Sequence, residues 1–406
     1  MNTSKQPIIG KKLAWLLMFL YFVSYMTRIN YAAIIQEIVT ATGFAKSSLS
    51  VVLVAVSITY GVGQVINGKI GDHVKPQNLI LCGLVCTSIV NLLLPLFAFS
   101  VTGMVILWGI NGFAQAMMWP PIVKILVANT DDATYGYSVV RVSWGSSFGT
   151  ILVYLTAPLI ITLLGWKAVF YLSAGIGLAA SVLWFLLKSR VPCEDKPLQA
   201  SADSTETPKF HFPKEAVFPM VFIVLGIIFQ GMLRDGVTSW MPTYLAEVFQ
   251  FGNQTSIFCT VSLAIFSIIT FSAVGTLYKK YFRNEVACAG GVYAVSVLAA
   301  GLLFLFFEGG AIVAILLMAL ITGCMHGINL MLITHVPKRF KKFGNISTIS
   351  GAINACTYVG AAISTYGISL LSETIGWRNT VGVWFIIAAL GGVCCVIAMK
   401  PWKRMI

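Results

Sequence analysis

Twelve stretches of about 20 or more mostly apolar residues, parted by charged or turn-rich breaks, run through this sequence, each long enough to span a bilayer as a helix. Inside a hydrocarbon layer the backbone must satisfy its own hydrogen bonds, so only helices and closed barrels span it. Barrel strands alternate apolar and polar residues. Here the apolar runs are continuous, as from Leu79 to Phe97 and from Ile312 to Ile321. Hydrophobic residues make up 58% of the chain and charged residues 10%, with a mean hydropathy of +0.86. That balance excludes a soluble domain and a disordered chain. The expected fold is an all-α membrane protein of twelve transmembrane helices. They fall at 12–36, 47–70, 78–99, 102–126, 137–164, 167–187, 216–247, 255–278, 285–306, 310–334, 346–371 and 378–399.

The net charge of +13 is a topology signal. With an even number of spans both termini lie on one side. Of the 27 Lys and Arg, 22 then fall on that side, and only Lys46, Lys167 and Arg378 fall on the other. By the positive-inside rule the basic side is cytoplasmic. Its surplus charge suits anionic lipid headgroups rather than nucleic acid. Short loops point to a bacterial plasma membrane, with both termini cytoplasmic and the chain acting as a monomer. The first span is too long for a cleavable signal peptide, and no small-residue cleavage site follows it. Eight of the nine cysteines lie within spans, where cysteine behaves as a small apolar residue.

Residues 188–214 form the only long polar stretch, rich in charge, proline and Ser/Thr. This expected cytoplasmic linker divides the chain into an N-terminal six-helix half, 1–187, and a C-terminal six-helix half, 215–406. The halves echo each other. Gly165-Trp166-Lys167 matches Gly376-Trp377-Arg378, Gly68 matches Gly275, Gly112 matches Gly323, and Arg28 matches Arg234, all at intervals of 206 to 211 residues. A duplicated bundle of this kind suits a transporter with its site near mid-bilayer, between the halves.

Two of the 27 basic residues belong to neither side, Arg28 and Arg234, and both fall within spans. A guanidinium in the bilayer costs at least about 2.5–3.5 kcal/mol and therefore faces a cavity or a partner. Arg28 shares a helical stripe with Tyr21, Tyr25 and Tyr31, and Arg234 follows Gln230 by one turn. Asp235 is the one acid well inside a span. Neighbours in a helix point about 100° apart, so it is expected to be a poor direct partner for Arg234. Two arginines against at most one acid call for an anionic ligand, which the planar fork of arginine holds bidentately. Polar stripes expected to line the same cavity hold Tyr60 and Gln64, Asn111 and Gln115, Trp144 and Ser147, His326 and Asn329, and Asn354 and Tyr358. Each of these also suits plain interhelical hydrogen bonding. Asp235 and His326 are candidates to carry a coupling proton. No metal-ligand or phosphate-loop motif is found, so neither enzyme chemistry, a metal nor a cofactor is expected.

The segment Gly68 to Pro76 (GKIGDHVKP), with SYMTRINY at 24–31, NGFAQAMMWPP at 111–121 and MLRDGVTSWMPTYL at 232–245, resembles the major facilitator superfamily. Within it, the chain is similar to the organophosphate:phosphate antiporter family. The resemblance implies that Arg28 and Arg234 clamp a substrate phosphate and that Asp72 belongs to a gating loop. Gln64 stands where better-known members carry a lysine, and Ser146 or a neighbour stands where they carry a histidine. The expected function is alternating-access transport of a small organic anion, such as a sugar phosphate or glycerol phosphate, in exchange for inorganic phosphate. Proton-coupled symport of a carboxylate such as a sugar acid is the alternative, and a membrane substrate sensor a more remote one.

Overall fold

A computed structural model describes residues 7–192, 214–340 and 346–405. Most of the expected linker and the loop residues Lys341 and Lys342 lie outside the described residues, as does the side chain of Asp72. Each expected span is helical. In chain order the helices are α1 (Gly10–Ala33), α2 (Lys46–His73), α3 (Pro76–Leu93), α4 (Val101–Asn129), α5 (Asp132–Leu164) and α6 (Trp166–Leu187). Then come α7 (Lys214–Phe249), α8 (Val261–Lys280), α9 (Glu285–Leu305), α10 (Ala311–Arg339), α11 (Ile346–Thr374) and α12 (Gly376–Met405). Among the described residues eleven helices, all of these but α11, are long and apolar enough to cross a membrane. Helix α11 is as long as the others but carries a run of Ser, Thr and Asn that lowers its hydropathy.

Local chemistry sets the breaks. Pro76 opens α3, where its missing N–H costs nothing. The Asp131 carboxylate accepts from the Thr134 N–H at 2.8 Å and caps α5, which holds its carboxyl below the usual range. Gly165 and Gly376 start α6 and α12 with φ of +81° and +77°, a region that glycine enters without penalty. Helix α4 is interrupted at 116–118, directly before Trp119-Pro120-Pro121, where two prolines in sequence remove backbone donors. Helix α10 changes winding after Asn329, and Leu330–His335 form a π-helix.

Helix α1 packs on α5 and α6, α2 on α4, and α3 on α6; later in the chain α7 packs on α11 and α12, and α8 on α10. Close approach is carried by glycines. A β-carbon on Gly112 would meet the Val56 carbonyl at 2.6 Å, and one on Gly323 would meet Thr270 Oγ1 at 2.7 Å. These two glycines are partners in the sequence repeat, and so are the faces they pack on. Two seams join the first six helices to the last six, α2 against α11 and α5 against α8. At the end of the bundle that carries the chain termini these seams are shut. Lys338 Nζ lies 5.1 Å from the Tyr135 ring, and Gly275 sits against Val140. At the same end Glu285, fully buried, accepts from Arg339 Nε at 3.0 Å, Arg339 Nη2 at 3.1 Å and Trp402 Nε1 at 3.1 Å. That carboxylate ties α9, α10 and α12 together.

Candidate functional site: an arginine pair on a shared tyrosine

Helices α1 and α7 bring Arg28 and Arg234 to one tyrosine, Tyr358. Arg28 Nη2 donates to the Tyr358 hydroxyl at 3.0 Å, and its Cζ lies 5.3 Å from the Tyr358 ring. Arg234 Cζ lies 5.6 Å from the same ring. Two further rings enclose Arg28, Tyr60 at 4.2 Å and Tyr25 at 5.4 Å. Cation–π contacts of this kind strengthen when water is excluded. Tyr60 comes from α2 and Tyr358 from α11, with ring centroids 4.3 Å apart, so the cage is closed across a seam.

The charge balance is asymmetric. Arg234 Nε donates to Asp235 Oδ1 at 2.8 Å, and Nη2 donates to Oδ2 at 2.9 Å. This corrects the expectation that adjacent helix positions diverge too far to pair. The 100° applies to the Cα–Cβ bonds; the long arginine arm folds across its neighbour and presents its fork edge-on to the shorter carboxylate. Among the described residues no carboxylate pairs with Arg28, whose contacts are aromatic rings and a neutral hydroxyl.

A cavity with about 30 Å³ of free space runs from Arg234 and Tyr358 toward the terminus-bearing end. Tyr21, Tyr25, Tyr60, His326, Asn329 and Asn354 line it, together with Trp119, Ser143, Ser146 and Phe271. The space suits one or two waters, not a solute the size of a sugar. His326 packs edge-on to Phe271, with centroids 5.4 Å apart, and Tyr21 packs on Trp119 at 5.2 Å. The break in α4 is what turns Trp119 inward. The π segment of α10 begins directly after Asn329, where such distortions commonly mark functional sites.

The structure places other expected residues elsewhere. Tyr31 packs against Trp108 at 5.3 Å and donates to the Leu49 carbonyl, in a separate core cluster. A one-turn step along α1 from Arg28 carries it past the cavity into the packing with α4. Gln115 Nε2 donates to the Ser24 carbonyl and to Thr27 Oγ1, both at 2.9 Å, and Asn111 Nδ2 donates to the Thr27 carbonyl at 3.1 Å. Their face of α4 is turned to α1 and binds helix to helix. Ser147 bonds Ser267 across the α5–α8 seam at 2.6 Å, and Gln230 Nε2 donates to the Met325 carbonyl at 3.0 Å. Trp144 lies under the Arg141 guanidinium at 3.8 Å. Gln64 is buried in the α2–α11 seam, and its amide atoms have no hydrogen-bond partner in the structure. Sequence reasoning did not place Trp119, Ser143 or Phe271 at the site. Only the Trp-Pro-Pro motif carried a signal, since a phenylalanine in an apolar helix is indistinguishable from core.

The family model for the Major Facilitator Superfamily matches residues 17–365. The chain is 28% identical to the glycerol-3-phosphate transporter of Bacillus subtilis (strain 168), over 87% of its own length and 84% of the relative's. It is 23% identical to a probable hexose phosphate transport protein of Chlamydia trachomatis, covering 95% of this chain and 90% of the other. Its fold resembles the crystal structure of a bacterial homologue of the iron transporter ferroportin in the outward-facing state. That match has a TM-score of 0.74 at 12% identity and covers 96% of this chain and 99% of the other.

Proposed function

This chain belongs to the major facilitator superfamily, and from that premise we propose that it carries a small phosphate-bearing organic anion across the membrane by alternating access. The observation that carries the reading is the meeting of Arg28 and Arg234 on Tyr358, with a carboxylate on Arg234 alone. The names of the glycerol-3-phosphate and hexose phosphate relatives support the substrate class. Twelve spans, α1 to α12, form two six-helix halves, 1–187 and 215–406, that rock about the site. Both termini face the cytoplasm of a bacterial plasma membrane, as the basic residues require. On that orientation the shut seams make this a state closed to the cytoplasm.

Arg28 offers a fork unopposed by carboxylate, and three tyrosine rings pack around it. A phosphate bound there draws Arg234 in from the facing helix. Tyr25, Tyr60 and Tyr358 then supply hydroxyl and ring contacts, while His326, Asn329 and Asn354 receive the organic moiety on the side toward the termini. Because the cavity admits only water in this state, loading requires the halves to part. The ligand favours closure only through its tighter binding to the closed form. Inorganic phosphate presents the same oxygens to the same arginines, which makes it the natural exchange partner.

The test is a thermal-shift series on purified protein with sugar phosphates, glycerol 3-phosphate, inorganic phosphate, phosphonates and sugar acids, since a ligand bound to the native state raises Tm. Stabilisation by phosphate esters supports the reading. Stabilisation by sugar acids alone would replace it with carboxylate transport, for which a site of net charge +1 is suited.

A further inference from the structure

We infer that Asp235 is a tethered counter-anion that occupies Arg234 when the site is empty, so that the carrier can return without substrate and exchange is not obligatory. The inference rests on the proposed function for the identity of the substrate, but not for the behaviour of the empty site. Asp235 engages Arg234 through the same two parallel N–H donors, Nε and Nη2, that phosphate recognition uses, at 2.8 and 2.9 Å. The Arg234 side chain is 9% exposed and the Asp235 side chain 29%. The arginine is therefore committed to the site interior, while its carboxylate partner is the more exposed of the two. The backbone beneath is fixed: Gly236 fits against Ile368 and Ser364 of α11, and Thr238 Oγ1 bonds the Arg234 carbonyl at 2.6 Å. Only the side chains are free to rearrange.

The charge count gives the consequence. With Asp235 ionised, the empty site carries +1, and a bound dianion takes it to −1. Without the carboxylate, the empty site would carry +2 and the loaded one zero. The cost of enclosing a charge in a low-dielectric interior grows with its square. Hence the empty and loaded carriers close at similar cost when Asp235 is present. In its absence the empty carrier is strongly disfavoured and the loaded one is not. Asp235 is thus a residue that sets the transport mode, acting through Arg234. Arg28, with no carboxylate of its own, remains the permanent anchor.

The experiment compares wild type and Asp235→Asn in proteoliposomes, with radiolabelled glycerol 3-phosphate as the probe. Uptake is measured into vesicles without internal phosphate and into vesicles loaded with inorganic phosphate. Wild type is expected to fill both sets at rates within a few-fold of each other. Asp235→Asn is expected to raise the loaded-to-unloaded ratio about tenfold or more, and to bind inorganic phosphate about tenfold more tightly in thermal-shift titration, because the intramolecular competitor is gone. Asp235→Glu, which keeps the charge on a longer arm, is expected to hold the wild-type ratio and guards against a folding defect in the amide variant. A wild type that fills only loaded vesicles would overturn the inference, and so would an unchanged ratio in Asp235→Asn or a Glu variant that behaves as a strict exchanger. If wild type takes up no phosphate ester in either set, the proposed function fails instead. The phosphate titration then decides this inference alone, with unchanged affinity in Asp235→Asn counting against it.

Discussion

Exchanging Arg28 for lysine keeps the positive charge and removes the planar fork, which makes it the sharpest perturbation of the site. In the structure the guanidinium lies 4.2 Å from the Tyr60 ring and donates to Tyr358 at 3.0 Å, leaving its remaining N–H groups for a ligand. An ammonium in that cage still makes cation–π contacts, so folding is expected to survive. It cannot make two parallel bonds to one phosphate. Losing one charge-assisted hydrogen bond removes about 1.5–3 kcal/mol. At about 1.4 kcal/mol per decade, KM for a phosphate ester rises roughly 10- to 150-fold. The assay is initial-rate uptake in proteoliposomes across substrate concentration, with Arg234→Lys measured beside it. Tyr31→Phe is the control: its hydroxyl bonds Leu49 in the core, away from the cavity, so KM should not move. Near-normal KM in both lysine variants, in protein that folds normally, would refute the two-arginine clamp.

Two further outcomes test the scaffold. Gly231→Ala drives a β-carbon into the Thr357 carbonyl, whereas one at Gly367 meets nothing within 4 Å. Thermal unfolding in detergent should therefore show Gly231→Ala well below wild type and Gly367→Ala close to it. Glu285→Gln removes the charge of a buried carboxylate that pairs with the partly exposed Arg339 and weakens the acceptor for Trp402, which is expected to lower Tm measurably, by less than the loss of a fully buried ion pair would.

The helices could be read from the sequence because their signal is long and redundant. A run of some twenty apolar residues has few other uses, and each expected span coincides with a helix to within a few residues at most ends, α8 excepted, where Asn253–Cys259 forms a separate short helix. Helix α11 shows the limit of hydropathy as a guide. Its Asn354, Thr357 and Tyr358 lower the apolar average because one face of this helix meets the seam and the cavity, while Val359, Ile363, Tyr366 and Leu370 on another face are exposed. Periodicity also says which residues share a face, but not which neighbour that face meets. Asn111 and Gln115 do lie on one face of α4, and that face meets α1 instead of the cavity. Which of two neighbours a polar stripe meets is decided by helix rotation and crossing angle, set by glycine contacts such as Gly112 on Val56, and those are tertiary facts.

The arginine pair lies between these cases. Two guanidinium groups in apolar helices announce a site on cost alone, whatever the fold. What spacing could not give is their inequality. The duplication that puts Arg28 in one half and Arg234 in the other predicts equivalent roles. The structure instead gives one arginine three tyrosine rings and the other a carboxylate. Sequence already held the cause, since Asp235 follows Arg234 while Ile29 follows Arg28. Its weight depended on a side-chain conformation that helical geometry alone argues against. A symmetric pair of unpaired arginines would trap an anion and let it leave only for another. Neutralising one member relaxes that requirement while the other still selects the ligand. The single acid well inside a span, Asp235, therefore carries as much information about how this carrier cycles as the two bases carry about what it binds.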